Sequence, residues 1–382
     1  MSSDHAGRRL DVDRILADRG VRIVVCCGSG GVGKTTTAAA LGLRAAERHG
    51  RRTVVLTIDP ARRLAQSLGL TELDNTPRQV KGIDAEESGG ELHAMMLDMK
   101  RTFDEVVLAH TDPARATEIF ANPFYQAMSS TFSGTQEYMA MEKLGQLHAR
   151  GDWDLIVVDT PPSRSALDFL DAPARLSRFL DGRMLRLLLA PARAGGRSMF
   201  SLVTASFGMF SRVVQKVLGA QLLTDLSGFV AALDSMFGGF RQRAEETYRI
   251  LQARETAFLL VAAPEPDAIR EAAYFAGRLG EERMPLAGLV LNRVHRTAVD
   301  GFSAERSLAA ADLLDRAGGN EATADALRVH AALAEQAARE RRVAAVFTDA
   351  YPAVPTVEVT AQPADVHDVD GLRTVGDALS RP

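Results

Sequence analysis

Short apolar runs alternate with longer amphipathic segments along this chain. Val21-Arg22-Ile23-Val24-Val25-Cys26-Cys27 is rich in β-branched residues and ends in glycines, which predicts a buried strand. Residues 35–48 are rich in Ala and Leu and predict a helix. Further strands are expected at 53–58, at 155–158 just before Asp159, at 258–263, at 286–291 and at 356–359. A helix between the strands at 258–263 and 286–291 should start near Asp267, after Pro266, and stop at Gly280 as its C-cap. Residues 10–19 read as a short helix. Strands alternating with helices imply an α/β fold, a mostly parallel, doubly wound sheet covered on both faces.

Three stretches interrupt that alternation: 100–150, 166–255 and 298–349 are all helical in pattern. The expected organisation is an N-terminal helix within 1–20, then a core over 21–165 with a helical insert near 100–150. A helical subdomain over 166–255 follows. The second part of the core, 256–382, carries another helical insert near 298–349. No internal repeat is visible, so the chain reads as one module and not a fused tandem.

Composition narrows the class. The 382 residues are 46% hydrophobic and 25% charged, which allows a sizeable core and excludes wholesale disorder. Lys plus Arg is 45 and Asp plus Glu is 49, a net charge of −4, so there is no electrostatic case for nucleic acid. Cys26 and Cys27 are neighbours in a predicted strand and point to opposite faces, so neither a disulfide framework nor a Cys-based zinc site can be built. Residues 1–20 carry charges throughout and lack the apolar stretch of a signal peptide. The longest uncharged run near the middle, 198–211, is shorter than the roughly 20 residues a membrane span needs. A cytoplasmic protein is expected, with peripheral attachment at a membrane left open.

The chemistry is concentrated in Gly28-Ser29-Gly30-Gly31-Val32-Gly33-Lys34-Thr35, which matches the phosphate-loop pattern G-x-x-x-x-G-K-[ST] between a predicted strand and helix. Glycines let main-chain N–H groups turn inward around phosphate oxygens, and the following helix adds its N-terminal dipole. Lys34 would reach the β- and γ-phosphates of ATP, and the Thr35 hydroxyl would hold Mg²⁺. Thr36 is placed to touch the α-phosphate. Asp159 follows a buried strand, where an unpaired carboxylate is expensive, and a role through a water on Mg²⁺ would satisfy it. Its alternative is a structural Asp bonded to loop N–H groups. Asp59 ends a strand beside the phosphate loop and is a candidate to orient or activate the attacking water, or else caps the turn before Pro60.

The narrower pattern G-x-G-G-x-G-K-T-T resembles the deviant phosphate-loop ATPases that include MinD, ParA, the nitrogenase iron protein and the arsenite-pump ATPase ArsA. Thr57-Ile58-Asp59-Pro60-Ala61 resembles switch I of the ArsA-like family, which includes the tail-anchored-protein targeting ATPases. Asp159-Thr160-Pro161-Pro162-Ser163, followed by Ala166-Leu167-Asp168-Phe169-Leu170, resembles its switch II. Ala263-Pro264-Glu265-Pro266 sits where the family has a Pro-Glu turn, and Leu289-Val290-Leu291-Asn292-Arg293 is similar to its adenine-reading strand end. The wording is closest to the actinobacterial type. The resemblance implies a P-loop Mg²⁺-dependent ATPase that works as a nucleotide-switched dimer. It implies Asp59 as the catalytic carboxylate, Asn292 on the adenine edge and Pro355 lining the base pocket.

The chain departs from the family at one telling place. Ser29 occupies the position of the signature lysine, which in the family crosses the dimer interface to the partner's phosphates. A slow or inactive ATPase, a heterodimer with a lysine-bearing homologous subunit, or an arginine recruited from Arg62, Arg63 or Arg164 would each accommodate this; the heterodimer is favoured. Cys26 and Cys27 lie in the strand entering the loop and read as core packing, so no arsenite thiolate site is expected, nor a zinc-clamped dimer. Met and Phe residues from Met184 to Phe240 could form an apolar groove for a hydrophobic protein client or a membrane protein, or simply a helical core. A client-binding chaperone with ATP as a latch and a ParA- or MinD-like positioning ATPase are the rival functions.

Overall fold

A computed structural model of the chain describes residues 9–59, 63–84, 89–123, 125–126, 135–161, 242–297, 299, 301–318 and 320–380. The chain divides into two compact units. Met1–Met96, Arg150–Leu167 and Ile250–Pro382 make the first, and Leu97–Ala149 with Asp168–Arg249 the second. The strands are β1 (Ile23–Cys27), β2 (Arg52–Thr57), β3 (Arg78–Gln79), β4 (Glu91–Met96), β5 (Leu155–Asp159), β6 (Thr256–Ala262), β7 (Leu286–Val294) and β8 (Thr356–Thr360). The helices are α1 (Val12–Ala17), α2 (Lys34–His49), α3 (Arg63–Ser67), α4 (Met99–His110), α5 (Pro113–Ala121), α6 (Thr135–Arg150), α7 (Pro266–Glu281), α8 (Ala304–Ala317), α9 (Glu321–Ala350) and α10 (Val369–Ser380).

In the first unit one sheet runs in the order β3-β4-β2-β5-β1-β6-β7-β8. Its pairs are parallel except the short β3–β4 edge. Every residue of β1, β5 and β6 is buried, as befits central parallel strands, whose apolar runs do not alternate. Such a sheet gathers the C-terminal ends of β1, β2, β5, β6 and β7 on one edge, where α/β sheets hold ligands.

The structure corrects several expectations. Gly280 is not the C-cap of α7: the helix continues to Glu281, because Leu279 keeps its buried face going, and Arg283 takes the left-handed turn at φ 56°. β4 was not anticipated, since Glu, Ala and Met are weak strand formers, yet it pairs with β2 at six registered positions. α10 was likewise missed. It buries Leu372, Val375 and Leu379, while Asp377 and Arg373 pair with Arg44 and Glu47 of α2 at 2.8 and 2.7 Å. The segment 298–349 forms the helices α8 and α9, and Glu340 of α9 accepts from His295 N at 2.8 Å just beyond β7.

In the second unit, Asp98 and Asp112 cap α4 and α5 by accepting from backbone N–H groups three residues on. Lys143 of α6 pairs with Glu105 of α4 at 2.9 Å, and the Arg243 Nε donates to both oxygens of the buried Glu142. The Met- and Phe-bearing stretch from Met184 to Phe240 lies outside the described residues. Among the described residues no helix is long and apolar enough to cross a membrane.

One buried cation organises the entry to the first unit. Arg51 is fully buried and donates to the carbonyls of Leu16 at 3.1 Å, Asp18 at 3.2 Å, Val21 at 2.6 Å and Asp154. Burial pulls its guanidinium down to about 10, still charged at neutral pH. Arg51→Met should therefore leave these carbonyls unsatisfied and cost about 2–4 kcal/mol. A lower urea midpoint at unchanged m-value would measure it, and an unchanged midpoint would contradict it.

Candidate active site

The phosphate loop leaves β1 at Gly28 and enters α2 at Lys34. Its glycines are dictated by neighbours as much as by turning. A Cβ on Gly28 would lie 2.0 Å from the Val261 carbonyl oxygen of β6. A Cβ on Gly33, which sits at φ +93° as the N-cap of α2, would lie 2.2 Å from Asn292 Nδ2. Asn292, at the end of β7, donates that amide to the Val32 carbonyl at 2.8 Å. The loop is thus clamped from below by the ends of β6 and β7. Lys34 curls back and donates its Nζ to the Ser29 carbonyl at 2.7 Å. Burial lowers its pKa, while the charges of Asp159 and Asp59 act the other way.

Asp159 is fully buried at the end of β5 and meets two hydroxyls on a single oxygen. Thr35 Oγ1 donates to its Oδ2 at 2.7 Å and Thr57 Oγ1 donates to the same atom at 2.8 Å. Its Oδ1 is buried with no hydrogen-bond partner. Burial pushes the carboxyl up to about 6, against the two hydroxyl bonds and the Lys34 charge. An orphaned buried carboxylate oxygen beside a P-loop threonine suits a water bound to Mg²⁺, so the residues present fit that ion. Asp59 is half-buried, and its N–H donates to Thr57 Oγ1 at 3.2 Å. Thr57 therefore links the backbone of one acidic residue to the carboxylate of the other, and Asp59 acts electrostatically on both Lys34 and Asp159.

A cavity of about 490 Å³ lies against the loop, lined by Ser29, Gly30, Gly31 and Val32, by Glu265, Asp267 and Glu271 around α7, and by Arg293. Thr36 is half-buried in the first turn of α2. Pro355 is not among the cavity's lining residues: it directly precedes β8, and its carbonyl accepts from Leu289 N at 2.9 Å. Of the arginines considered as stand-ins for lysine, Arg63 is exposed at the start of α3, and Arg62 and Arg164 lie outside the described residues. Burial raises the Cys26 thiol well above its ordinary value and the Cys27 thiol to about 12, so both stay protonated in the core. No group of three or more His, Cys, Asp or Glu side chains arranged for a metal occurs among the described residues. Sequence reasoning missed Thr57 as a partner of Asp159, the brace from Asn292 to Val32, and Arg293 in the cavity. The first two depend on strand register, which one sequence does not display.

Comparison with known proteins gives the family of the chain. The family model of the anion-transporting ATPases matches residues 21–309. ATPase GET3 of Malassezia globosa is 27% identical over 171 residues, covering 44% of this chain and 47% of its own. A putative arsenical pump-driving ATPase 1 of Aquifex aeolicus is 27% identical over 184 residues, 45% and 44% of the two chains. Protein Rv2184c of Mycobacterium tuberculosis is 30% identical over 165 residues, 42% and 39%. The chain thus spans under half the length of each of these relatives.

The geometry makes a pH-dependent prediction. Below about pH 6 Asp159 takes up a proton and loses the charge that would hold a Mg²⁺-bound water. Affinity for a magnesium–nucleotide complex should fall as the pH drops from 7 to 5, and Asp159→Asn should flatten that dependence. Titration with a fluorescent nucleotide at each pH checks it; equal pH profiles for the two proteins would refute it.

Proposed function

The chain belongs to the anion-transporting ATPase family, and on that premise we propose that it binds ATP with Mg²⁺ and hydrolyses the bond to the γ-phosphate. The observation that carries this reading is the Asp159 cluster: one oxygen held by Thr35 and Thr57, the other buried and unpartnered, with Lys34 close by. In the proposed complex the main chain of Gly28 to Gly33, Ser29 included, wraps the phosphates. Lys34 leaves the Ser29 carbonyl for the β- and γ-phosphate oxygens. Thr35 and, through a water, Asp159 would hold Mg²⁺, whose charge would offset that of the phosphates. Thr36 meets the α-phosphate. Asn292 keeps its amide on Val32 and offers its carbonyl to the adenine, and Pro355 flanks the base.

Asp59 orients the attacking water and accepts its proton as the oxygen bonds to the γ-phosphorus and ADP leaves. Once the γ-phosphate is gone, the segments carrying Asp59 and Asp159 relax. We read this cycle as that of a nucleotide-switched dimer, cytoplasmic or at the membrane surface, which powers a protein or membrane-associated partner. The relatives named as pump-driving ATPases support that reading. Serine at position 29 favours a lysine-bearing homologous subunit as the other half of the dimer.

The test is the steady-state ATP hydrolysis rate of the purified chain with Mg²⁺. Asp59→Asn should lower turnover by about 10²–10⁴-fold while leaving ATP binding intact. Turnover that is indifferent to Asp59→Asn removes the proposed role of Asp59. A chain that binds no nucleotide overturns the reading.

A further inference from the structure

Arg293 is placed in a way the rest of the strand does not require. It follows Asn292 in β7 but sits at φ 61°, a left-handed conformation that costs a non-glycine residue energy. The β7–β8 register shifts between Leu291 and Val294, with Arg293 inside the irregularity. Irregular residues of this kind re-aim side chains beside functional sites. Here the residue lines the cavity against the phosphate loop, together with Ser29, Gly30 and Gly31.

The charges around it are instructive. Glu265, Asp267 and Glu271 line the same cavity, and an unconstrained guanidinium would be expected to fold onto one of them. Asp267 is instead paired with Arg270 of its own helix, and Glu271 Oε2 is buried without a partner. Arg293 makes no ion pair among the described residues. Its guanidinium is therefore not neutralised by any described carboxylate, and the residue is exposed. These carboxylates disfavour an anion beside them and leave the part of the lining formed by Ser29, Gly30 and Gly31. That part adjoins the place addressed by Lys34, whose Nζ bonds the Ser29 carbonyl at 2.7 Å.

From this we infer that Arg293 is a second phosphate-binding cation of the site, reaching the terminal phosphate of the chain's own ATP across Ser29. The inference rests on the ATP-binding reading above and deepens it: the cation is supplied from the β7 end of the same chain, whatever a partner subunit brings. A guanidinium suits the task because its planar fork grips phosphate oxygens in pairs.

Arg293→Gly is the decisive variant, because glycine accepts the left-handed backbone without strain and removes only the side chain. Affinities for ADP and for a non-hydrolysable ATP analogue would be measured by fluorescence titration beside turnover. The expected result is about a tenfold or greater loss of analogue affinity with ADP affinity unchanged, and a fall in kcat of about 10²–10³-fold. Arg293→Lys should recover part of both losses. Unchanged analogue affinity in Arg293→Gly, or an equal loss for ADP and analogue, overturns the assignment. Failure of the unaltered chain to bind either nucleotide would instead strike the ATP-binding reading itself.

Discussion

The buried carboxylate of Asp159 is the constraint on which the rest of the site depends. It stands at the end of a central strand, flanked by β1 and β2, with no access to solvent. A carboxylate in that position is costly unless hydrogen-bonded. Its Oδ2 draws in Thr35 from the start of α2 and Thr57 from the end of β2, so one polar atom fixes the relative placement of helix and strand. The other oxygen is buried without a hydrogen-bond partner, and the proposed role in holding Mg²⁺ rests on it.

Around this centre the phosphate loop is held with little freedom. Gly28 abuts the Val261 carbonyl and Gly33 abuts the Asn292 amide, so any side chain at either position would displace a neighbour. Asn292 in turn holds the Val32 carbonyl. Donors fixed before a phosphate arrives need no reorganisation when it does, which is how preorganised sites lower barriers. The same strand end carries the left-handed Arg293 and, three residues beyond Asn292, His295, whose N–H and ring nitrogen both meet Glu340 of α9. The end of β7 therefore joins three things: the loop, the cavity and the longest helix described.

Much of this was legible in the chain because the signals are local. The phosphate loop is eight consecutive residues between an apolar strand and an Ala-rich helix, and the structure has β1 and α2 at those places. The strands at β2, β5, β6, β7 and β8 follow from short runs rich in apolar or β-branched residues. Where the pattern was weak the reading failed. β4 has no strand-like composition and forms because β2 offers it a full ladder, and Gly280 was mistaken for a stop although the buried face of α7 continues through Leu279.

By itself the sequence determined the α/β class, the phosphate loop and its lysine, and the acidic residues at two strand ends. Each is set by a few adjacent residues whose chemistry and spacing do not depend on the remainder of the chain. Only the tertiary structure decided what those residues meet: Thr57 opposite Asp159 in the β2–β5 register, Asn292 against Val32, and Arg293 lining one cavity with Glu265. These partners are separated by up to 260 positions along the chain. Parallel strands bring such distant positions together through crossover connections, and the register of a crossover is set by packing over the whole sheet rather than by any local run of residues.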